Sequence, residues 1–467
     1  MKTFPYNPND KNSIIEFARK LVGQSLRDAC ASEIESHGFT GKGSFGKVLE
    51  KYYFLYEPNS DAHADFKSVN LELKSTPLKL IKNNKVVSKE RLVLNIISYI
   101  NIIDEKFETS SFYKKNANLL IVFYLYKNDT NFLDYVVKLV DEWVFPEVDL
   151  EIIKRDWETI FYKVQDGKAH ELSEGDTFYL GACTKGANAL TMKVQPNNGI
   201  PAKQRAFSLK QGYVNHILAC IADKNSLNNY GRLIESTNNI KQFSIEDIVE
   251  GKFKKYYGMT DSEIIRTLKI DKLNVLAKNF HSNLIKIVLG VSLDKEIEEF
   301  QKANIRVKVI RLNENNLPKE NISFPAFKFE EIVKEDWDES DFKETLESKF
   351  LFVFFQFEGE LLKLKKVKFW NMPHDDIEST KLVWLRTRDI ITKGNVVKEV
   401  INGKRKTNFP GMSFNKVSHV RPHGINSYDT YPLPFQDKVT KAKEYTKQCF
   451  WLNNSYVRDE IFLKSKN

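Results

Sequence analysis

Asp65-Phe66-Lys67-Ser68-Val69-Asn70-Leu71-Glu72-Leu73-Lys74 is a short stretch that ends in strand-like alternation. Successive side chains of a strand point to opposite faces, so Leu71 and Leu73 share one face while Glu72 and Lys74 share the other. A covered face carrying Glu and Lys needs compensation for its charge. A divalent cation held by Asp65, Glu72 and the Leu73 carbonyl supplies it and sets Lys74 beside a water molecule that can attack. The same spacing also suits a solvated strand edge, and the rest of the chain decides between the two.

The chain has 467 residues, 42% of them hydrophobic, which is too long for one core and predicts two or three domains. Gly and Pro are modest in number and no segment is of low complexity. Cys30, Cys183, Cys220 and Cys449 are scattered without zinc or redox spacing, which fits a reducing cytoplasm. The N-terminal Met1 to Pro8 lacks the apolar core of a signal peptide. The longest apolar runs, near Leu119 to Tyr126 and Phe350 to Phe355, are too short to span a bilayer, so a cytoplasmic protein with no membrane partner is expected. A formal charge of +9 favours a polyanionic partner.

Ile14, Phe17, Ala18, Leu21 and Val22 have the spacing of a helix with one buried stripe. A second helix is expected from Ser44 to Tyr53, with Phe45, Val48, Leu49 and Tyr52 inward and Glu50 beside that face. The glycine-rich segment before it has neither a preceding strand nor Walker spacing, which argues against a nucleotide-binding loop. Leu119 to Tyr126 reads as a strand covered on both faces, with Lys114 and Lys115 at its entrance where a lysine can hold a phosphate oxygen. Leu133 to Lys154 reads as helical surface. Thr184, Lys185, Gly186 and Asn188 form a turn of small and polar residues suited to base edges, with Arg205 and Lys210 placed for phosphates. The polar, asparagine-rich run from Asn225 to Gln242 is the expected domain boundary.

These residues resemble the MutH-like branch of the PD-(D/E)xK nucleases. The likeness runs in order through Lys42 and Glu50, Asp65, Glu72-Leu73-Lys74 with the Thr76-Pro77 after it, Ser88 to Asn95, Glu108 to Phe112, Lys115, Gly167 to Gly175, Thr184 to Asn188 and Ala202 to Lys210. The full chain is similar to the longer GATC-specific type II restriction endonucleases of that branch. The resemblance implies double-stranded DNA as substrate, GATC as recognition sequence and cleavage 5′ of the G. It implies a magnesium site built by Glu50, Asp65 and Glu72, with Lys74 and Lys115 completing the catalytic set. Lys42, Thr184, Lys185, Gly186, Arg205 and Lys210 are then expected to contact DNA. Ser208 stands where the mismatch-repair nicking enzymes carry a tyrosine associated with sensing adenine methylation, so weaker discrimination against methylated sites is expected.

The second half repeats the pattern with its charge inverted. Ala277 to Gly290 follows the Lys42 to Glu50 helix, with Lys286 at the Glu50 position. Glu299-Phe300 and Ile305-Arg306-Val307-Lys308 follow Asp65-Phe66 and Leu71 to Lys74 at the same spacing. Two cations at metal-ligand positions, Lys286 and Arg306, repel a divalent ion, so this half is expected not to cut; Lys308 stands where Lys74 does. Arg421, His423 and Asn453 lie in segments that match the DNA-facing loops of the first half.

The fold expected is α/β, with two tandem restriction-endonuclease-like (MutH-like) domains, each a mixed sheet flanked by helices. Residues 1–224 form the nuclease, 225–245 a linker, and 246–467 a degenerate DNA-binding, regulatory domain that acts allosterically from a further DNA site. The chain is expected to be a monomer that pairs or dimerises on DNA, within a restriction-modification system. A methylation-directed nicking enzyme of mismatch repair and a non-catalytic DNA-binding protein are the alternative readings.

Overall fold

The computed structural model describes residues 4–30, 34, 39, 43–59, 63–186, 191–223, 228–270, 273–397, 399–402, 404–438 and 440–464. The chain divides into two units, Met1–Ile245 with Val291–Asn304, and Glu246–Gly290 with Ile305–Asn467. Both are mixed α/β.

In the first unit, helix α1 (Lys11–Arg19) is capped by the Asp10 carboxylate and buries Ile14, Ile15 and Ala18. The expected second helix changes character midway: α2 (Ser44–Val48) passes into a π turn, Leu49–Tyr53. Such turns are rare and often sit at functional sites. Strands β1 (Glu72–Leu80), β2 (Val86–Ser88) and β3 (Leu92–Ile96) come next. Helix α3 (Ser111–Asn116) leads into β4 (Asn118–Leu125) and then β5 (Val137–Val144). The sheet order is β2-β1-β4-β5, with β1 parallel to β4 and the outer pairs antiparallel. Leu71 and Leu73 enter a core with Ile14, Phe45, Val48, Leu120 and Val122.

Strand β5 lies in the stretch expected to be helical. Val137, Val140 and Trp143 are its buried residues, spaced three apart like one helix face. A bulge in its pairing with β4, where Phe123 faces Leu139 but Tyr124 faces Val137, breaks the alternation that marks a strand.

Helix α4 (Glu147–Gln165) follows. Its fully buried Asp156 carboxylate accepts the amides of Phe178, Tyr179 and Leu180, which pins the start of β6 (Leu180–Thr184). A second sheet has β7 (Arg205–Leu209) between β3 and β6. After it, α5 (Gln211–Ala222) meets the short helix Glu298–Ala303 at Gly212, where a Cβ would lie 1.9 Å from the Gln301 carbonyl oxygen. The 225–245 stretch expected as a linker carries helix Thr237–Gln242 inside this unit. Its polar composition hid the buried Leu233, Ile234 and Ile240.

In the second unit, helices Ile245–Lys254 and Asp261–Thr267 come before α6 (Phe280–Val288), which packs against β8 (Arg306–Leu312). Strands β9 (Ile322–Phe327), β10 (Phe350–Glu358) and β11 (Leu361–Trp370) follow, with α7 (Asp341–Leu346) preceding β10. β8 runs parallel to β10, and β10 antiparallel to β11. Helix α8 (His374–Thr392) precedes β12 (Ser418–Pro422) and β13 (Gln448–Leu452), and β13 lies between β9 and β12 in a second sheet. Phe350, Phe352, Phe354, Trp384 and Phe450 share its core.

Candidate active site

The site forms where β1 begins. Asn70 takes a left-handed conformation (φ +49°), which asparagine tolerates better than most residues, and it turns the chain into the strand. Across this turn Asp65 and Glu72 hold each other. The Asp65 amide donates to Glu72 Oε2 at 3.1 Å, and the Leu73 amide donates to Asp65 Oδ2 at 3.0 Å. Helix α2 comes down on β1 at Gly46, where a Cβ would sit 3.2 Å from Ser75 Oγ, and the π turn that follows carries Glu50.

Glu72 is 2% exposed, on the face opposite the Leu71 and Leu73 core. Its Oε1 takes Lys74 Nζ at 2.7 Å and Lys115 Nζ at 3.7 Å, the latter from the last turn of α3. Burial, and next the charge of Glu72, push the Asp65 carboxyl up to about 7 against the pull of Lys74. Burial also raises Glu50; Lys74 opposes that and Glu72 adds to it. Glu50, Asp65, Glu72, Lys74 and Lys115 are thus brought together as the sequence led one to expect.

Among the described residues, no three acidic, histidine or cysteine side chains close on one point as a finished chelate. The two ammonium groups instead neutralise Glu72, while Asp65 and Glu50 face one another's charge under partial burial. That donor set suits a hard cation with oxygen ligands.

The DNA-facing expectations divide. Thr184, Lys185 and Gly186 are exposed beyond the end of β6. Arg205 and Lys210 are buried, with their heads donating to the Ala182 and Thr177 carbonyls, so neither reaches a phosphate in solvent. Ser208 is fully buried, its hydroxyl 3.5 Å from Glu174 Oε1, which Arg91 holds at 2.6 Å. Room for a methyl group therefore does not arise at its side chain. Lys42 and Asn188 lie outside the described residues. A residue that motif reasoning passed over is Tyr56, whose hydroxyl is sealed from solvent and feels the charges of Asp65, Glu50 and Glu72. No spacing in the sequence marks it, because a non-helical turn brings it in.

In the second unit, Arg306 and Lys308 point from β8 on the face that carries Phe350 and Phe352 in register. Arg306 Nε donates to Ser348 Oγ at 3.1 Å. Burial, and then Arg306, disfavour the charge of Lys308. Lys286 is half-buried on α6. Glu299 does not join them. It belongs to the first unit, and its carboxylate accepts the Leu233 and Ile234 amides, each at 2.9 Å from Oε1. Arg421 and His423 are exposed around Trp451, the guanidinium 5.0 Å and the imidazole 5.4 Å from its ring. Asn453 is buried between His419 Nδ1 at 2.6 Å and the Asn415 carbonyl at 3.0 Å, so it holds a loop and does not face DNA.

Two acids and two lysines gather at the head of a parallel strand pair, with a third acid carried by a π turn. The family described as DNA mismatch repair enzyme MutH matches residues 54–156, a span that holds Asp65, Glu72, Lys74 and Lys115. The chain is 27% identical to the DNA mismatch repair protein MutH of Buchnera aphidicola subsp. Baizongia pistaciae, over 33% of this chain and 70% of that protein. It is 36% identical to the type II restriction enzyme Sau3AI of Staphylococcus aureus, over 97% of this chain and 98% of that one. The class is therefore that of MutH-like nucleases. Within it, the chain belongs to the type II restriction endonucleases.

Proposed function

We propose that this endonuclease cuts double-stranded DNA at GATC, 5′ of the G, by magnesium-dependent hydrolysis in its first unit, and that its second unit grips further DNA and stimulates the first. The observation that carries the catalytic part is Glu72, buried and coupled at once to Asp65, Lys74 and Lys115. Glu50, Asp65 and Glu72 would hold the ion. When bound, magnesium neutralises charge on the phosphate and makes water more acidic.

The chain's own residues do the rest. Lys74 Nζ, anchored on Glu72 Oε1, directs its remaining donors at the attacking water or the phosphate oxygens. Lys115 brings a second positive charge to the phosphate from the end of α3. The Leu73 amide fixes Asp65 from the core side, so the carboxylate cannot swing away. Lys185 and its exposed neighbours read the base edges. Among the described residues the acid-bearing site lies in the first unit, so cutting both strands favours two chains that pair on the DNA.

The second unit is read as a degenerate MutH-like domain. β8 and β10 repeat the parallel pairing of β1 and β4, with Arg306 where Glu72 stands. Arg421 and His423 give it an exposed, basic and aromatic surface. An end-labelled cleavage map with purified protein and magnesium tests the whole reading. Cuts 5′ of G at GATC, lost in Glu72→Gln while duplex binding persists, are the expected result. Cleavage at unrelated sites, or undiminished cleavage by the variant, overturns it.

A further inference from the structure

A tyrosine hydroxyl inside a protein almost always finds a hydrogen-bond partner, because leaving it unpaired costs its lost hydration. Tyr6 and Tyr53 follow the rule. The Tyr6 hydroxyl donates to the Phe54 carbonyl at 2.7 Å and that of Tyr53 to the Phe17 carbonyl at 2.8 Å. Tyr56 breaks it. Its hydroxyl is shut off from solvent and has no hydrogen-bond partner among the described residues.

The backbone goes out of its way to put it there. Leu55, which has no side-chain polar group to favour the conformation, takes φ +61° just past the Phe54 cap of the π turn that carries Glu50. The Tyr56 amide then donates to the Glu50 carbonyl at 3.1 Å, and its ring packs edge-on against Phe66 at 5.7 Å, next to Asp65. A bulky residue at positive φ and a buried unpaired donor are each unfavourable, and such features persist where function keeps them. The amide contact to Glu50 and the ring contact to the neighbour of Asp65 bring the phenol beside the acidic residues, and its O–H is a group that can donate.

We infer that Tyr56 is a positioning residue of the cleavage site: its hydroxyl donates to the carboxylate or water oxygens that gather when a divalent ion binds between Glu50, Asp65 and Glu72. The inference rests on the catalytic reading above. Groups that orient metal ligands in this way change ion affinity or activity by 10- to 100-fold when removed. An idle aromatic filler changes neither.

Tyr56→Phe separates the two, because it removes one oxygen and keeps the ring against Phe66. The full-length protein is compared with Tyr56→Phe, Tyr6→Phe and Glu72→Gln by thermal melting without metal, manganese(II) titration followed by calorimetry, and single-turnover cleavage with duplex affinity measured alongside. For Tyr56→Phe we expect a melting temperature that is unchanged or higher, since no hydrogen bond is lost. Its manganese affinity should fall about tenfold, and its cleavage rate should fall by a similar factor at unchanged duplex affinity. Tyr6→Phe should melt lower and bind manganese normally. Wild-type manganese binding and cleavage in Tyr56→Phe overturns the inference, as does a melting loss equal to that of Tyr6→Phe. If Glu72→Gln still binds manganese and cuts, the catalytic reading itself fails, a result distinct from either.

Discussion

Strands β1 and β8 are built alike and charged oppositely. Each follows an asparagine in the left-handed region, Asn70 at φ +49° and Asn304 at φ +53°, and each runs parallel to a strand buried among apolar side chains. On one, Glu72 and Lys74 share a face with Asp65 close by; on the other, Arg306 and Lys308 share it and the matching Glu299 caps backbone amides elsewhere. The frame therefore does not depend on the chemistry. Leu71, Leu73 and the partner strand fix β1, while the charged face adds little to the core and is free to change sign.

The largest expected effect breaks this comparison on its acidic side. Glu72→Gln keeps the shape and the acceptor for the Asp65 amide but removes the charge that pairs Lys74 and Lys115. Cleavage of an end-labelled GATC duplex should drop by roughly 10²- to 10³-fold, as when a major electrostatic contributor to a transition state is lost. Arg306→Glu in that background should not restore cutting, because Glu299 stays bound to the Leu233 and Ile234 amides and no second acid arrives.

The next effect is on stability and carries a pH signature. Burial, and next the charge of Glu72, push the folded Asp65 carboxyl up to about 7, from 3.8 for an unperturbed aspartate. The folded protein thus keeps this proton longer than the unfolded chain does. Stability from this group is at its fullest below pH 4, declines as the pH rises toward 7, and stays low above it. Asp65→Asn removes the penalty and still offers an oxygen to the Leu73 amide. Without divalent ions, it should stabilise the protein by roughly 2–3 kcal/mol at pH 8, with a melting gain of a few degrees that fades toward pH 4. An equal gain at pH 4 and pH 8 would show that charge is not the cause. At the corresponding basic site, Lys308→Met should give its gain at low pH, since burial and Arg306 depress that amine.

The acidic site was legible in the sequence because a strand writes its two faces in alternation, and Leu71, Glu72, Leu73 and Lys74 follow that rule. Lys115 was legible because it stands just before an uninterrupted apolar strand. What stayed hidden depends on long-range packing. Val137, Val140 and Trp143 imitate a helix because a bulge shifts their strand. Arg205, Lys210 and Asn453 have the chemistry of DNA contacts, yet nearby backbone carbonyls and a histidine claim them in the interior. Glu299 keeps the spacing of Asp65 but sits in the other unit, which no count of residues reveals.

A third effect sharpens the comparison on its basic side. If β8 and its surroundings grip DNA as an effector site, the double variant Arg306→Glu, Lys308→Glu should leave single-site cleavage near normal. Stimulation by a second GATC site should be lost, within the 5- to 150-fold range usual for coupling between sites. Rates on one-site and two-site plasmids measure it. Equal stimulation in the variant and the wild type would reduce the second unit to a scaffold.

The smallest effect concerns the loops that the two units present to solvent. Lys185 is exposed at the end of β6, where its amide is tied to the Gln204 carbonyl at 2.8 Å, while Arg421 is exposed on β12 and stacked over Trp451. A lysine that reads a base edge contributes about 1–3 kcal/mol of discrimination, whereas one that touches only a phosphate weakens binding to every sequence and lowers the salt slope by about one. Lys185→Ala should therefore cost about tenfold in affinity for a GATC duplex and little for a scrambled one, with the salt slope kept. Arg421→Ala should weaken both duplexes alike, with a shallower slope. If Lys185→Ala behaves as Arg421→Ala does, base reading lies with another residue of the first unit, and the difference between the two units is confined to the charged faces of β1 and β8.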